Sequence, residues 1–188
     1  APNAELYFRT GFISPGNFAE GIKELADSGC KVIVDDITYI TEPYYQDGVI
    51  AQAVESVSSQ GVNYFTSAGN FGNRAYEGVF TPTAAPAGYT GTAHNYGSGD
   101  VFQSITLEQG IYTIALQWED EFYSLGQSSG AQNDLDIYLV DKFGNRLFGF
   151  NRNNLGGDPL EILPFVVRTT IDANLIVTRK SGSDNVKF

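Results

Sequence analysis

Apolar residues recur with two different periods along this chain, and the change falls near residue 74. Before it, strand-like runs alternate with helical spacing. Residues 5–10 read as a short strand. Asn17 is placed to cap a helix, and Glu20 completes a capping-box pattern. Phe18, Ile22 and Leu25 then fall on one helical face, and Gly29 supplies the stop. Residues 31–37 form a strand whose continuous apolar start predicts cover on both faces. A second helix spans residues 47–60, with Ile50, Ala53, Val54 and Val57 inward and Gly61 as its stop. Residues 61–69 make the third strand. The order β-α-β-α-β predicts a parallel sheet.

After residue 74 no helical period persists. Residues 76–98 are rich in Ala, Gly, Thr and Pro and read as a linker or loosely packed crossing. Short alternating runs follow near 101–107, 111–118, 135–140, 145–151, 161–167 and 174–179. Gly- and Asn-bearing turns at 108–110 and 141–145 separate several of them, since hairpins need positions that adopt positive φ cheaply. Such spacing predicts an antiparallel β-sandwich. The fold class is therefore α/β in residues 1–75 plus an all-β antiparallel sandwich in residues 99–188.

Composition narrows the function classes. The 188 residues are 42% hydrophobic and 18% charged, enough apolar surface for a core. A net charge of −11 argues against nucleic acid and anionic membrane as partners, because phosphate contacts need clustered Lys and Arg. No apolar run reaches the roughly 18 residues of a membrane-spanning helix. The sequence has no Met, so Ala1 is not an initiator and the chain is read as processed or excised from something longer. One Cys, Cys30, excludes an internal disulfide and a Cys-based zinc site. One His, His94, excludes a His-rich metal site, and it reads as a loop residue or capping donor rather than a general base.

The first 73 residues resemble a subtilisin-like serine peptidase. Ala1-Pro-Asn-Ala-Glu-Leu-Tyr7 is similar to the family's A-P-x-A-x-L-Y strand, and Gly21-Ile22 to its next crossover helix. Val32-Ile33 is similar to the start of the substrate-pairing V-I-N-x-S strand, and Ala53-Val54 through Gly61-Val62 to the helix and turn that follow. Ser67-Ala-Gly-Asn70 is similar to the S-A-G-N motif. The resemblance implies that Asn70 donates its side-chain amide to the oxyanion, with Asp36, Thr38, Ser67 and Gly69 around the substrate. The chemistry agrees, since acyl transfer needs donors aimed at the developing O⁻. Read on residue type alone, Asn70-Phe-Gly-Asn73 is equally a turn chosen for left-handed backbone. No G-T-S occurs in the sequence, so the resemblance puts the catalytic Asp, His and Ser on polypeptide outside these residues and makes the chain inactive alone.

The run Asp35-Asp-Ile-Thr-Tyr39 departs from the family pattern. Asp36 stands at the Ser-like place, and Thr38 and Tyr39 stand where Gly is usual. Adjacent strand residues point to opposite faces, so Asp35 and Asp36 do not share a cleft on a regular strand. One carboxylate then caps a loop amide, faces substrate and favours basic residues, or ligates a cation.

The second half resembles a pre-peptidase C-terminal-like β-sandwich, through Gly110-Ile-Tyr-Thr-Ile, Asn133-Asp-Leu-Asp-Ile-Tyr-Leu139 and Gly144. Asp134 and Asp136 share one strand face, which reads as a solvated acidic face or a calcium site completed by Asn133 and Asp158. Calcium is the one cofactor that this reading admits. Trp118, Phe122, Tyr123, Tyr138, Phe148 and Phe150 read as core, with Trp118-Glu-Asp-Glu-Phe-Tyr123 as an alternative recognition edge. Together the resemblances imply part of a secreted endopeptidase acting on polypeptide. The alternative is a degenerate peptidase scaffold whose β-sandwich binds protein or glycan.

Overall fold

The computed structural model describes residues 2–72, 74–182 and 185–188. The fold is mixed α/β and divides into two compact units, Ala1–Ala75 and Tyr76–Phe188.

The first unit holds α1 (Pro15–Asp27), β1 (Val32–Asp35), α2 (Val49–Ser59) and β2 (Asn63–Thr66). Helix α1 starts a turn earlier than the capping-box reading places it. Ser14 is extended and its hydroxyl accepts from the Asn17 backbone N–H at 3.1 Å, while Pro15 opens the helix. A Ser–Pro pair combines a side-chain acceptor with a φ already set for the helix, so it displaces the Asn17 cap. Helix α2 ends where expected, its cap at Gln60 followed by Gly61 in the left-handed region.

Strands β1 and β2 pair in parallel, Val32 opposite Asn63 through Asp35 opposite Thr66. Both helices pack on one face of this pair, around Ile22, Ile33, Ala53 and Val57. Val32 and Val34 point to the other face and are 58% and 71% exposed. The expectation of cover on both faces is thus met on one only, because the described residues place all the helical mass on the Ile33 side. Residues 5–10 form no strand either. They are held by a side chain rather than a backbone ladder: Arg9 Nε pairs with Glu24 of α1 at 2.6 Å, and Leu6 and Phe8 remain exposed.

The second unit is antiparallel throughout its named strands: β3 (Pro82–Ala84), β4 (Thr92–His94), β5 (Gln103–Leu107), β6 (Gly110–Gln117), β7 (Asp134–Asp141), β8 (Arg146–Phe150), β9 (Leu160–Val167) and β10 (Ile171–Ser181). The six-stranded sheet runs β3-β4-β10-β7-β8, with β5 also on β10, and β6 and β9 form a separate pair. The stretch 76–98, expected as linker or crossing, therefore carries two strands of the larger sheet. Each has three residues, too few to show a period in sequence.

Two apolar clusters join residues of both sheets. One gathers Leu116 and Trp118 with Leu135, Ile137 and Val177, and the other Leu139 and Ala173 with Leu163, Phe165 and Val167. On the opposite face of β7, Tyr138, Val140 and Ile176 pack under Tyr89, Val101 and Phe102. Strand β7 is therefore buried on both faces. The solvated acidic face expected at Asp134 and Asp136 is overturned: both are 1% exposed. His94 is also corrected. It sits in β4 among Tyr76, Phe80, Tyr96 and Phe188, its Nδ1 accepting from the Thr81 backbone N–H at 3.1 Å and its Nε2 3.0 Å from the Tyr76 hydroxyl. Burial lowers its pKa, so the ring is a neutral core acceptor.

Truncation separates covered from uncovered positions. Leu139→Ala should cost about 2–5 kcal/mol by denaturant unfolding followed through Trp118, as a core Leu does. Val34→Ala should change stability by less than about 0.5 kcal/mol, followed by circular dichroism at 222 nm, because both α-helices lie in the first unit.

Candidate functional site

The carboxyl ends of β1 and β2 form the candidate site. Ligands of open parallel sheets bind at this rim, where chain segments leave the strands and side chains become free to face outward. The ladder runs one step beyond the named strands, with the Ser67 N–H donating to the Asp35 carbonyl at 3.3 Å. Past that point Asp36, Thr38, Ser67, Gly69 and Asn70 are all exposed.

Asp35 ties the rim together. Its Oδ1 accepts from the Ile37 N–H at 3.2 Å and the Thr66 hydroxyl at 2.9 Å, and its Oδ2 from the Tyr64 hydroxyl at 2.6 Å. The carboxylate thus lies on the helix-covered side, spanning both strands. Burial, then the hydrogen bond and charge of Asp35, push the Tyr64 hydroxyl pKa well up, so it remains a donor. This settles the alternation question. Asp35 is the capping carboxylate and Asp36 the outward one.

Gly69 adopts φ +71°, and a Cβ there would meet the Phe71 ring at 3.4 Å and Thr38 Oγ1 at 3.8 Å. A left-handed residue at this point turns the chain out of the strand direction, and Gly does so without a Cβ penalty. The structure thus brings Thr38 and Gly69 together, and Asn70, next in the chain, is exposed. Asn70 presents two amide N–H donors there, the chemistry suited to a developing oxyanion. Asn73, the end of the turn motif, lies outside the described residues.

In the second unit the candidate calcium residues are distributed differently from the sequence expectation. Asn133 donates from its backbone and side chain to Asp120, which also accepts from Trp118 Nε1 at 2.9 Å and the Gln132 N–H at 2.9 Å. Asp134 accepts from the Asn154 N–H at 3.1 Å, Asp136 from the Tyr138 hydroxyl at 2.9 Å, and Asp158 from the Ser124 N–H at 2.8 Å. Each carboxylate is engaged in a local tie of its own. Among the described residues, no three His, Cys, Asp or Glu side chains gather as a metal-holding group. Burial raises the Asp136 pKa to about 6, opposed by the Tyr138 hydrogen bond and supported by the charge of Asp134.

Sequence reasoning missed two groups. Asp120 is one, a residue in a charged loop that clips Trp118 to the start of β7. Glu161 is the other, fully buried on β9, with neither carboxylate oxygen in a hydrogen bond of normal geometry. The alternation of Glu161, Leu163, Phe165 and Val167 places an acid in an otherwise apolar row, and that pattern is visible in the sequence. Trp118, Phe122 and Tyr138 are core residues, whereas Tyr123 is exposed.

No protein-family model matches the chain, and a search of curated proteins likewise finds no match. No helix among the described residues is long and apolar enough to cross a membrane.

The two neighbouring acids should part company on mutation. Asp35→Ala leaves the Tyr64 and Thr66 hydroxyls and the Ile37 N–H without their acceptor, and should cost about 1–3 kcal/mol. Asp36→Ala should stay within about 0.5 kcal/mol of the parent. Thermal melts followed at 222 nm compare them.

Proposed function

We propose that the first unit is the oxyanion-donor half of a subtilisin-like serine endopeptidase cleft. The observation that carries this reading is the rim itself: Asn70 is exposed, immediately after a left-handed Gly69, in the segment that follows the carboxyl end of parallel strand β2. In this reading the Asn70 amide stabilises the tetrahedral intermediate, and Thr38, Ser67 and Gly69 line the extended substrate. The outward Asp36 favours basic side chains on that substrate. The nucleophilic Ser, its His and the orienting Asp come from polypeptide outside these residues, so the chain alone does not hydrolyse peptide bonds. The second unit, with two sheets around shared apolar clusters, is read as a pre-peptidase C-terminal-like β-sandwich inserted after the oxyanion segment. Secretion follows as part of the same proposal.

A second reading treats the scaffold as degenerate and the two-sheet unit as a module for protein or glycan. It is favoured by the Asp36-Ile-Thr-Tyr39 departure and by the exposed rings of Tyr123 and Phe143. The encoded sequence on either side separates the two readings. D-x-G or D-T/S-G and H-G-T before residue 1, with G-T-S-x after residue 188, favour the peptidase, and their absence favours the binding module.

In the longer protein, Asn70→Ala should lower kcat by about 10²–10³ with a peptide substrate while KM changes little, the signature of a donor used mainly in the transition state. Unchanged turnover would remove Asn70 from the mechanism. The purified 188-residue chain should leave casein intact.

A further inference from the structure

One face of β10 changes character along its length. Ile176 on this face packs with Tyr138 and Val140 under Tyr89, Val101 and Phe102. Earlier on the same face stand Asn174 and Asp172, and β5 sets Ser104 and Thr106 opposite them. The alternate residues Ile105, Leu107 and Ala173 turn inward, to the apolar cluster between the sheets. Past the roofed residues a groove of about 430 Å³ opens, lined by Ser104, Thr106, Asp172 and Asn174 together with Lys142 of the β7–β8 turn. That volume lies in the range of small-ligand sites.

The polar groups of the groove are held in place by the fold. The Ser104 hydroxyl donates to Asn174 Oδ1 at 2.8 Å, and the Thr106 hydroxyl to Asp172 Oδ1 at 2.9 Å. The turn is fixed as well. The Asp141 carboxylate accepts from the backbone N–H groups of Phe143 and Asn145 at 2.8 and 2.9 Å and from Asn145 Nδ2 at 2.9 Å. From the roof, the Tyr89 hydroxyl donates to the Gly144 carbonyl at 3.3 Å. The turn presents Lys142 to the groove and Phe143 next to it, 78% exposed, with the Lys142 ammonium 5.1 Å from the ring centroid. Side chains positioned before a ligand arrives lose less entropy when it binds.

The charges at the groove select the class of ligand. Asp172 disfavours an anion and Lys142 a cation, and among the described residues neither is in an ion pair. The carboxylate and the two hydroxyls offer acceptor sites, and the ammonium offers donors. A ligand that meets them all is neutral and both donates and accepts from the same atoms, which is hydroxyl chemistry. The backbone of residues 103–107 is paired with that of residues 171–175, so the floor of the groove reads its ligand through side chains alone. Neighbouring side chains on this floor stand roughly 5 Å apart across the strands and roughly 7 Å apart along them, the scale of one sugar ring. An exposed phenyl ring next to such a mesh suits the C–H face of that sugar.

We propose that this groove binds a neutral glycan. Asp172 accepts from its hydroxyl groups, Lys142 donates to them, the Ser104 and Thr106 oxygens accept from them, and Phe143 stacks on a sugar ring. The site names a ligand for the second functional reading and rests on it in one respect, that the two-sheet unit is a binding module. It holds whether or not the first unit belongs to a peptidase.

Amide NMR of the whole chain, titrated with cellohexaose, mannohexaose, xylohexaose and chitohexaose at millimolar concentration, tests the site. At least one of these sugars should shift the amides of residues 103–107, 142–144 and 172–174 and leave those around Tyr123 in place. For that sugar, Asp172→Ala should weaken binding by about tenfold or more, as the loss of a charged hydrogen-bond partner does. Phe143→Ala should weaken it several-fold. Both side chains are exposed, so the melting temperature and the amide spectrum away from the groove should stay as in the parent. Lys142→Ala repeats the test should Asp172→Ala fold poorly. Anionic hexagalacturonate should bind more weakly than the neutral sugar. The proposal is overturned if none of the neutral sugars shifts the groove amides, if hexagalacturonate shifts them as readily, or if Asp172→Ala and Lys142→Ala both bind like the parent. Sugar-induced shifts confined to the Tyr123 loop would overturn the groove and keep the binding-module reading. A casein digest that moves the groove amides where the sugars do not would overturn the glycan in favour of a peptide, again keeping that reading.

Discussion

Strand β10 is the constraint on which the larger unit depends. It spans 11 residues and offers one edge to β4 and β5 in turn and the other to β7. A backbone donor or acceptor buried without a partner is costly, so a strand this long fixes the register of all three neighbours at once. The register then dictates side-chain environments. Asp136 lies opposite Thr178, and Tyr138 opposite Ile176, on a face roofed by Tyr89, Val101 and Phe102. Neither Asp134 nor Asp136 reaches bulk water, and their burial is a consequence of pairing rather than of their own chemistry.

The smaller unit depends on a side chain in a comparable way. Two parallel strands of four residues each make few ladder bonds, and such a pair is marginal without further ties. Asp35 adds bonds across the pair, to Tyr64 and Thr66 of β2 and to the Ile37 N–H of its own chain. Its position at the end of β1 keeps the two strands together to the point where they must part. The rim follows directly from that point, with Asp36, Thr38, Ser67, Gly69 and Asn70 exposed.

What could be read in advance was what repeats. The two helices, both parallel strands and the longer strands of the second unit follow from periods of 3.6 and 2, since those periods report burial on one face. The features that escaped are those decided by partners far away in sequence. Residues 5–10 have strand-like composition, yet Arg9 engages Glu24 and no strand forms. Val32 and Val34 resemble a doubly covered strand, but cover is a property of where both helices pack. Strands β3 and β4 are too short for a period and exist because β10 offers an edge. At the candidate site, the left-handed backbone of the turn was legible from its Gly and Asn residues, and Gly72 adopts φ +50°. The role of Asp35 was not, because alternation says only that Asp35 and Asp36 diverge, and the donors that separate them come from β2.

Four acids show how little residue type decides by itself. Asp36 has solvent, and its charge is free to meet a ligand. Asp35 has three donors of its own and is structural. Asp136 is buried with a single hydroxyl donor, so its pKa rises only to about 6. Glu161 is buried, and burial raises its pKa to about 8, opposed by the charge and backbone N–H of Arg152 and supported by the charges of Asp136 and Asp134. For the two buried acids, desolvation is the largest cause and hydrogen bonds to the charged form oppose it. Along that series the same carboxyl chemistry passes from an exposed side chain to a tie between strands and then to a buried acid.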